Sequence, residues 1–397
     1  MLEKKQEDQI LQSIAIVCEK APGVQLDYFC KIWTEFWIGV QQPNTPYIAI
    51  TDIGVPELYI RAAGARPLFL FGGSYFTDKY TEQIFPQVSD PVVKSTSSML
   101  FTKKLPCTQN ITAVVVPVRS ASARKILPYF YDAGYQVIAM EQEPFMSPKT
   151  TSQFKSSQMD FLLQLQKITH QHISVKSLYT VAEQITKAHD VLRHLDAVNI
   201  PEIAKSFVRQ TYYVASDIAK WIQAVDALIT SNESNRMLEY PPRLLLTGSS
   251  VFFPNAKIPS VLHDVGIIHY VNNCGVPYPE DYAALFGHGA LTENSLFKLL
   301  HEIHYKAVQN DVAHSLYADT SFLQNTNGVV YHLLKGQLMY AYEAELTEKA
   351  AIREGVPFVC VETDYTDADT EQIKIRLEAF SELLQQTPQS VASKQTG

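Results

Sequence analysis

The chain has 397 residues, 46% of them hydrophobic and 19% charged, with 21 tyrosines and 19 phenylalanines to fill sizeable cores. That length suits two domains or three, and the composition is that of a globular protein. A net charge of −8 argues against a nucleic-acid or anionic-membrane surface, which needs clustered Lys and Arg, and no apolar run approaches the ~20 residues of a membrane span.

Taken in chain order, residues 6–40 carry apolar positions at helical spacing and predict two helices split by Pro22-Gly23. Four segments then read as strand, loop, helix, strand: 47–71, 113–140, 243–270 and 328–361. Each opens on an apolar run (YIAI, AVVVPV, LLLTG, VVYHLL) and closes on another (RPLFLFGG, YQVIAM, GIIHYV, VPFVCVE). Such alternation is the sign of parallel sheets covered by helices. Between the second and third segments, residues 158–236 read as helical throughout. The expected fold class is therefore α/β: two parallel-sheet units of flavodoxin/Rossmann-like kind joined by a helical segment. The expected boundaries are N-terminal helices over 1–45, a first α/β domain over 46–150, a helical connection over 151–238 and a second α/β domain over 239–397. The polar tail after Gln386 is expected to be disordered.

Ligands of parallel sheets bind beyond the strand C-termini, so function is sought in the loops 52–57, 119–124, 248–251 and 335–342. Glu57 at a helix start could be a sheltered acid or base, or only a residue favoured by the helix dipole. Arg119, Arg124 and Lys125 could meet phosphates or be a solvated helix start. Thr247-Gly248-Ser249-Ser250 could cradle a phosphate, but it matches neither GxxxxGK(S/T) nor GxGxxG; helix N-capping by a serine is the favoured reading. His301-Glu302-Ile303-His304 spaces its histidines three apart, not the four of a zinc helix, and is expected to be a solvated face; so are His170 and His172. The five cysteines are scattered without a CxxC, which points to a reducing, cytoplasmic location. Cys18 and Cys360 are expected to be core residues. The charged start, MLEKKQEDQ, does not read as a signal peptide.

Several segments together resemble the 2-hydroxyacyl-CoA dehydratase and benzoyl-CoA reductase family. They are VPELYIRAAGARPLFLFGG (55–73), DPVVKSTSSML (90–100), PPRLLLTGSSV (241–251), GVVYHLLKGQLMYAYE (328–343) and GVPFVCVETDYTDADTEQIKIRLEAFSELL (355–384). The likeness runs in register over about 45–385. It implies a heterodimer of related subunits acting on CoA thioesters by radical chemistry, after an ATP-driven iron–sulfur activator delivers an electron. It also implies a 4Fe–4S cluster on three cysteines from separate loops, and it places Glu57 near the acyl group. In this sequence the three cysteine positions fall at Asp90, near Ser120 and at Gln337, with Cys107 and Cys274 elsewhere. Oxygen donors match a thiolate-built cluster poorly, so no metal or cofactor is expected on this chain, with a cluster possible in a partner. The resemblance further implies a homologous cysteine-bearing subunit, an ATP-dependent activator and acyl-CoA as partners; by their place in the loops after buried strands, Arg119, Ser120, Arg124 and Ser249 are the substrate-binding candidates. Arg376 is read as structural, with a partner from elsewhere in the fold. Three readings stay open: a cluster-free subunit of such a complex, a non-catalytic binding or assembly protein, and a cluster-free enzyme using Asp90 and Glu57.

Overall fold

The computed structural model describes residues 4–39, 46–52, 54–74, 90–103, 105–118, 121–141, 148–232, 244–274, 281–287, 292–313, 323 and 326–386. Two parallel four-stranded sheets form its frame. In the first, β1 (Tyr47–Ile50), β2 (Arg66–Phe69), β3 (Ile111–Val118) and β4 (Gln136–Glu141) lie in the order β2-β1-β3-β4. In the second, β5 (Leu244–Gly248), β6 (Val271–Asn272), β7 (Gly328–Leu334) and β8 (Phe358–Thr363) repeat that order as β6-β5-β7-β8. The central strands are buried along nearly their whole length, β1 and β7 at every residue, because helices cover both faces. This is the expected pair of parallel-sheet units.

The sheets are dressed by α3 (Glu57–Ala62), α4 (Pro91–Thr102) and α5 (Ala121–Asp132) in the first unit. In the second, α10 (Lys257–Asp264), α13 (Leu338–Glu354) and α14 (Thr370–Gln386) do so, while α11 (Ala283–Phe286) and α12 (Glu293–Ala313) pack on the helical segment between the units. Between the units run α6 (Pro148–Thr169), α7 (Val175–Asp196), α8 (Glu202–Thr211) and α9 (Ile218–Ser231). The N-terminal pair is α1 (Lys4–Lys20) and α2 (Asp27–Trp37), which breaks at Pro22-Gly23.

Helix α2 shows why this layer holds. Its buried residues Phe29, Ile32, Trp33, Phe36 and Trp37 recur at helical spacing and make one apolar stripe. Trp33 meets Phe207 of α8 and Phe252 and Phe253 of the second unit, with ring centroids 6.2, 5.8 and 4.6 Å away. Gln210 of α8 completes the joint: its amide donates to the Val251 carbonyl at 2.8 Å and accepts from the Phe253 N–H at 2.9 Å. The helical segment is thus bonded to the loop that leaves β5. No helix among the described residues is long and apolar enough to cross a membrane.

Candidate functional site

The loops leaving the strand C-termini of the two units meet. After β2 the chain runs through Gly72 and Gly73, both at positive φ, and is pinned to α4 by Thr96, whose hydroxyl donates to the Leu70 carbonyl at 2.8 Å, and by Ser95, which donates to that of Ser74. A Cβ on Gly73 would lie 2.6 Å from the Phe252 carbonyl oxygen, and one on Gly72 would lie 3.2 Å from the Tyr365 hydroxyl. The first-unit loop therefore presses backbone against backbone on the second unit.

At this seam two of the singled-out residues come together. Asp90 caps α4: its carboxylate accepts from the N–H groups of Val92 at 2.9 Å and Val93 at 3.3 Å, and Pro91 occupies the first helical position, where no N–H is missed. Gln337, just past β7, donates its side-chain amide to the same carboxylate at 3.2 and 3.4 Å. Burial and the nearby charge of Asp52 push the Asp90 carboxyl above the usual range, against the lowering pull of the two amides and Gln337. The Oε1 of Gln337 is buried with no hydrogen-bond partner.

Glu57 opens α3 and is fully buried. Its carboxylate accepts from Arg61 Nε at 2.7 Å and from the Tyr212 hydroxyl, and the Arg61 guanidinium lies 5.8 Å from the Tyr212 ring centroid. Burial and the Glu57 charge hold Tyr212 well above a normal phenol, so it is a proton donor here.

Ser249 corrects its expected role. No helix starts at it, since α10 begins at Lys257; instead its fully buried hydroxyl accepts from Leu334 N–H at 2.9 Å, and its N–H donates to the His332 carbonyl at 2.7 Å. His332 Nδ1 lies 2.7 Å from the Ser249 carbonyl, so the serine staples the ends of β5 and β7. Arg124 is exposed and forms a two-pronged pair with Glu141 at 3.0 and 2.7 Å. Lys125 is exposed. Arg119, Ser120, the side chain of Cys107 and the tail after Gln386 lie outside the described residues.

Other expectations divide. His170 and His172 are exposed as expected, but His304 is fully buried, with its Nε2 3.1 Å from the Tyr282 hydroxyl and its ring edge-on to Tyr59. Cys18 is exposed and Cys360 only half-buried, so neither is a core residue. Arg376 finds its partner in the Cys360 carbonyl at 2.8 Å.

The sequence reading missed the ion network beside Gln337. Lys257 is buried and donates to the carbonyls of Asp364 and Thr366 at 2.7 and 2.6 Å and to the Asp369 carboxylate at 2.8 Å. Lys335 lies 3.6 Å from both Asp364 and Asp369. Burial opposes ionisation of Asp369, but Lys257, Thr363 and Lys335 outweigh it and hold the carboxyl below its usual range. A lysine a hundred residues from its acceptors leaves no local sequence signal. Among the described residues, no three His, Cys, Asp or Glu side chains gather as a metal site.

Two parallel α/β units that oppose their strand C-termini, with polar side chains from both at the seam, define a two-unit α/β protein with one shared loop region. The chain belongs to the 2-hydroxyglutaryl-CoA dehydratase, D-component family, which it matches over residues 52–384. It is also similar to an Escherichia coli (strain K12) protein named "Putative dehydratase subunit YjiM", at 24% identity over 368 residues, covering 87% of this chain and 93% of the relative.

Proposed function

We propose that this chain is a cluster-free subunit of a 2-hydroxyacyl-CoA dehydratase-like or benzoyl-CoA reductase-like complex, shaping an acyl-CoA pocket beside a cysteine-bearing partner that holds the iron–sulfur cluster. Family membership supports the subunit role. The observation that carries the cluster-free reading is the Asp90–Gln337 pair. By register both stand at cluster-cysteine positions, yet one is a carboxylate committed to a helix cap and the other an amide bonded to it. Neither supplies the soft thiolate that such a cluster is built on, so the residues do not fit the group.

In this reading Glu57 sits at the acyl end, fixed by Arg61 and Tyr212, and phosphate contacts come from the 119–125 loop. One observation favours the assembly-protein reading instead: Glu57 and Arg124 already have charged partners.

Anaerobic purification alone and after co-expression with a cysteine-bearing homologue, followed by iron and sulfide analysis and calorimetry with several acyl-CoAs, separates the two. The subunit reading expects iron only in the co-purified complex, and acyl-CoA binding there. Stoichiometric iron on the isolated chain overturns the cluster-free assignment. Absence of acyl-CoA binding in the complex leaves the assembly reading standing.

A further inference from the structure

Cys18, in the last turn of α1, and Cys30, near the start of α2, lie with their sulfurs 3.4 Å apart. The turn at Pro22-Gly23, with Gly23 at φ +81°, folds the two helices back on each other and sets this contact. Cys18 is exposed, while Cys30 is half-buried behind it. The remaining described thiols differ: Cys274 is buried, and the half-buried Cys360 packs beside Tyr331, Ala344 and Phe358.

We propose that Cys18 and Cys30 form a reversible dithiol–disulfide pair, oxidised by exchange with a small-molecule disulfide that enters at Cys18. The Cys18 thiolate attacks one sulfur of the small disulfide, forms a mixed disulfide and expels one small thiolate, which takes up a proton. Cys30 then loses its proton to solvent and attacks the Cys18 sulfur. The Cys18–Cys30 bond forms and the second small thiol leaves. Two protein thiols give up two electrons and two protons, and the small disulfide accepts both.

The order of attack follows from the surroundings. Burial pushes the Cys30 thiol up to about 12, with the Cys18 hydrogen bond and charge adding to it, so Cys30 is the poorer first nucleophile. Both contributions from Cys18 vanish once its sulfur is bonded in the mixed disulfide, which leaves burial as the chief opposition to the second step and the 3.4 Å sulfur contact as what favours it.

The pair is placed where a bond would matter. Helix α1 packs on α8 and on α10 of the second unit, and Lys20, two residues beyond Cys18, is ion-paired with Asp264 of α10. Oxidation would lock the corner of the N-terminal hairpin next to its contact with the second unit. In a reducing compartment the dithiol is the resting form, and transient oxidation is the usual use of such pairs.

The test equilibrates the full chain with graded mixtures of reduced and oxidised glutathione, blocks free thiols by alkylation, digests, and reads the peptides by mass spectrometry. The expected result is a joined pair of peptides containing Cys18 and Cys30 that lacks two hydrogens and is restored by dithiothreitol. It should be lost in Cys18→Ser and in Cys30→Ser, unchanged in Cys360→Ser, and reduced in yield when the chain is oxidised in urea. A chain that ends with glutathione on Cys18 and Cys30 still alkylatable overturns the proposal. So does a chain with both thiols free at the most oxidising ratio, or an equal yield in urea, which would show that the fold contributes nothing.

Discussion

Gln337, which opens α13 in the second unit, hydrogen-bonds through its side chain to Asp90, which caps α4 in the first, although 247 residues separate them. One carboxylate thus satisfies a helix N-terminus and joins the two units. Both functions need an acceptor at that place, and neither needs a negative charge.

Replacing Asp90 separates these requirements. Asp90→Ala removes the cap and leaves the buried Gln337 amide without its acceptor, and should cost about 2–3 kcal/mol. Asp90→Asn keeps an acceptor and a good cap. Because the folded-state pKa of Asp90 is raised, its protonated form is the one the fold prefers, and its contribution declines as pH rises through that pKa. Asn should therefore match or exceed Asp at neutral pH. Denaturant unfolding of the three proteins at pH 5 and pH 7.5 checks this, and an Asn variant as weak as Ala would refute it.

The fully buried Glu57 pairs with the half-buried Arg61, and Tyr212 adds one hydrogen bond to its carboxylate. Glu57→Gln leaves a guanidinium without its counter-charge and should cost about 3 kcal/mol. Tyr212→Phe removes one hydroxyl and should cost about 1–2 kcal/mol. Thermal or denaturant midpoints that reverse this order would show that the ion pair is not what holds α3. Any loss of turnover in Glu57→Gln must be measured at a temperature where that variant is folded.

Gly73 and Gly23 both have positive φ but differ in space. A Cβ at Gly73 meets the Phe252 backbone across the seam, whereas one at Gly23 meets nothing within 4 Å. Gly23→Ala should cost about 1 kcal/mol from backbone conformation alone. Gly73→Ala should cost clearly more and loosen the seam, which limited proteolysis of the folded variants would detect. Equal costs would mean that the units do not press together at Gly73.

The frame was legible because parallel strands buried on both faces read as unbroken apolar runs, as in YIAI and GVVYHLL. What the sequence hid is long-range or a matter of phase. Glu57 and Tyr212 are 155 residues apart, and nothing near either announces the other. Ser249 looked like a cap because Gly-Ser-Ser follows a strand, but the helix begins only at Lys257, so the hydroxyl serves the neighbouring strand instead. His304 was readable in principle. Leu296, Leu300 and Ile303 are buried on α12, and His304 continues their stripe despite its polar neighbours.

The buried histidines give a pH dependence of definite sign. Burial pushes His332 down to about 4, with the Ser249 carbonyl opposing and Lys257 reinforcing the shift, and burial with the charge of His301 pushes His304 down to about 3. Both are neutral in the folded chain at pH 6, while a free histidine takes up a proton near 6.5. The unfolded chain therefore binds more protons as pH falls from about 6.5 to 4, and stability should drop over that window by about 3 kcal/mol for each histidine. The depressed carboxyls of Asp364 and Asp369 add their loss only at lower pH, below the ordinary Asp value of 3.8, so the two effects separate. His332→Asn keeps a donor for the Ser249 carbonyl and cannot take up a proton in this range. Unfolding free energies at pH 7, 6 and 5 should fall less steeply for this variant than for the parent chain. Parallel lines for the two proteins would show that His332 is not held neutral, and that the stapled ends of β5 and β7 tolerate a charge between them.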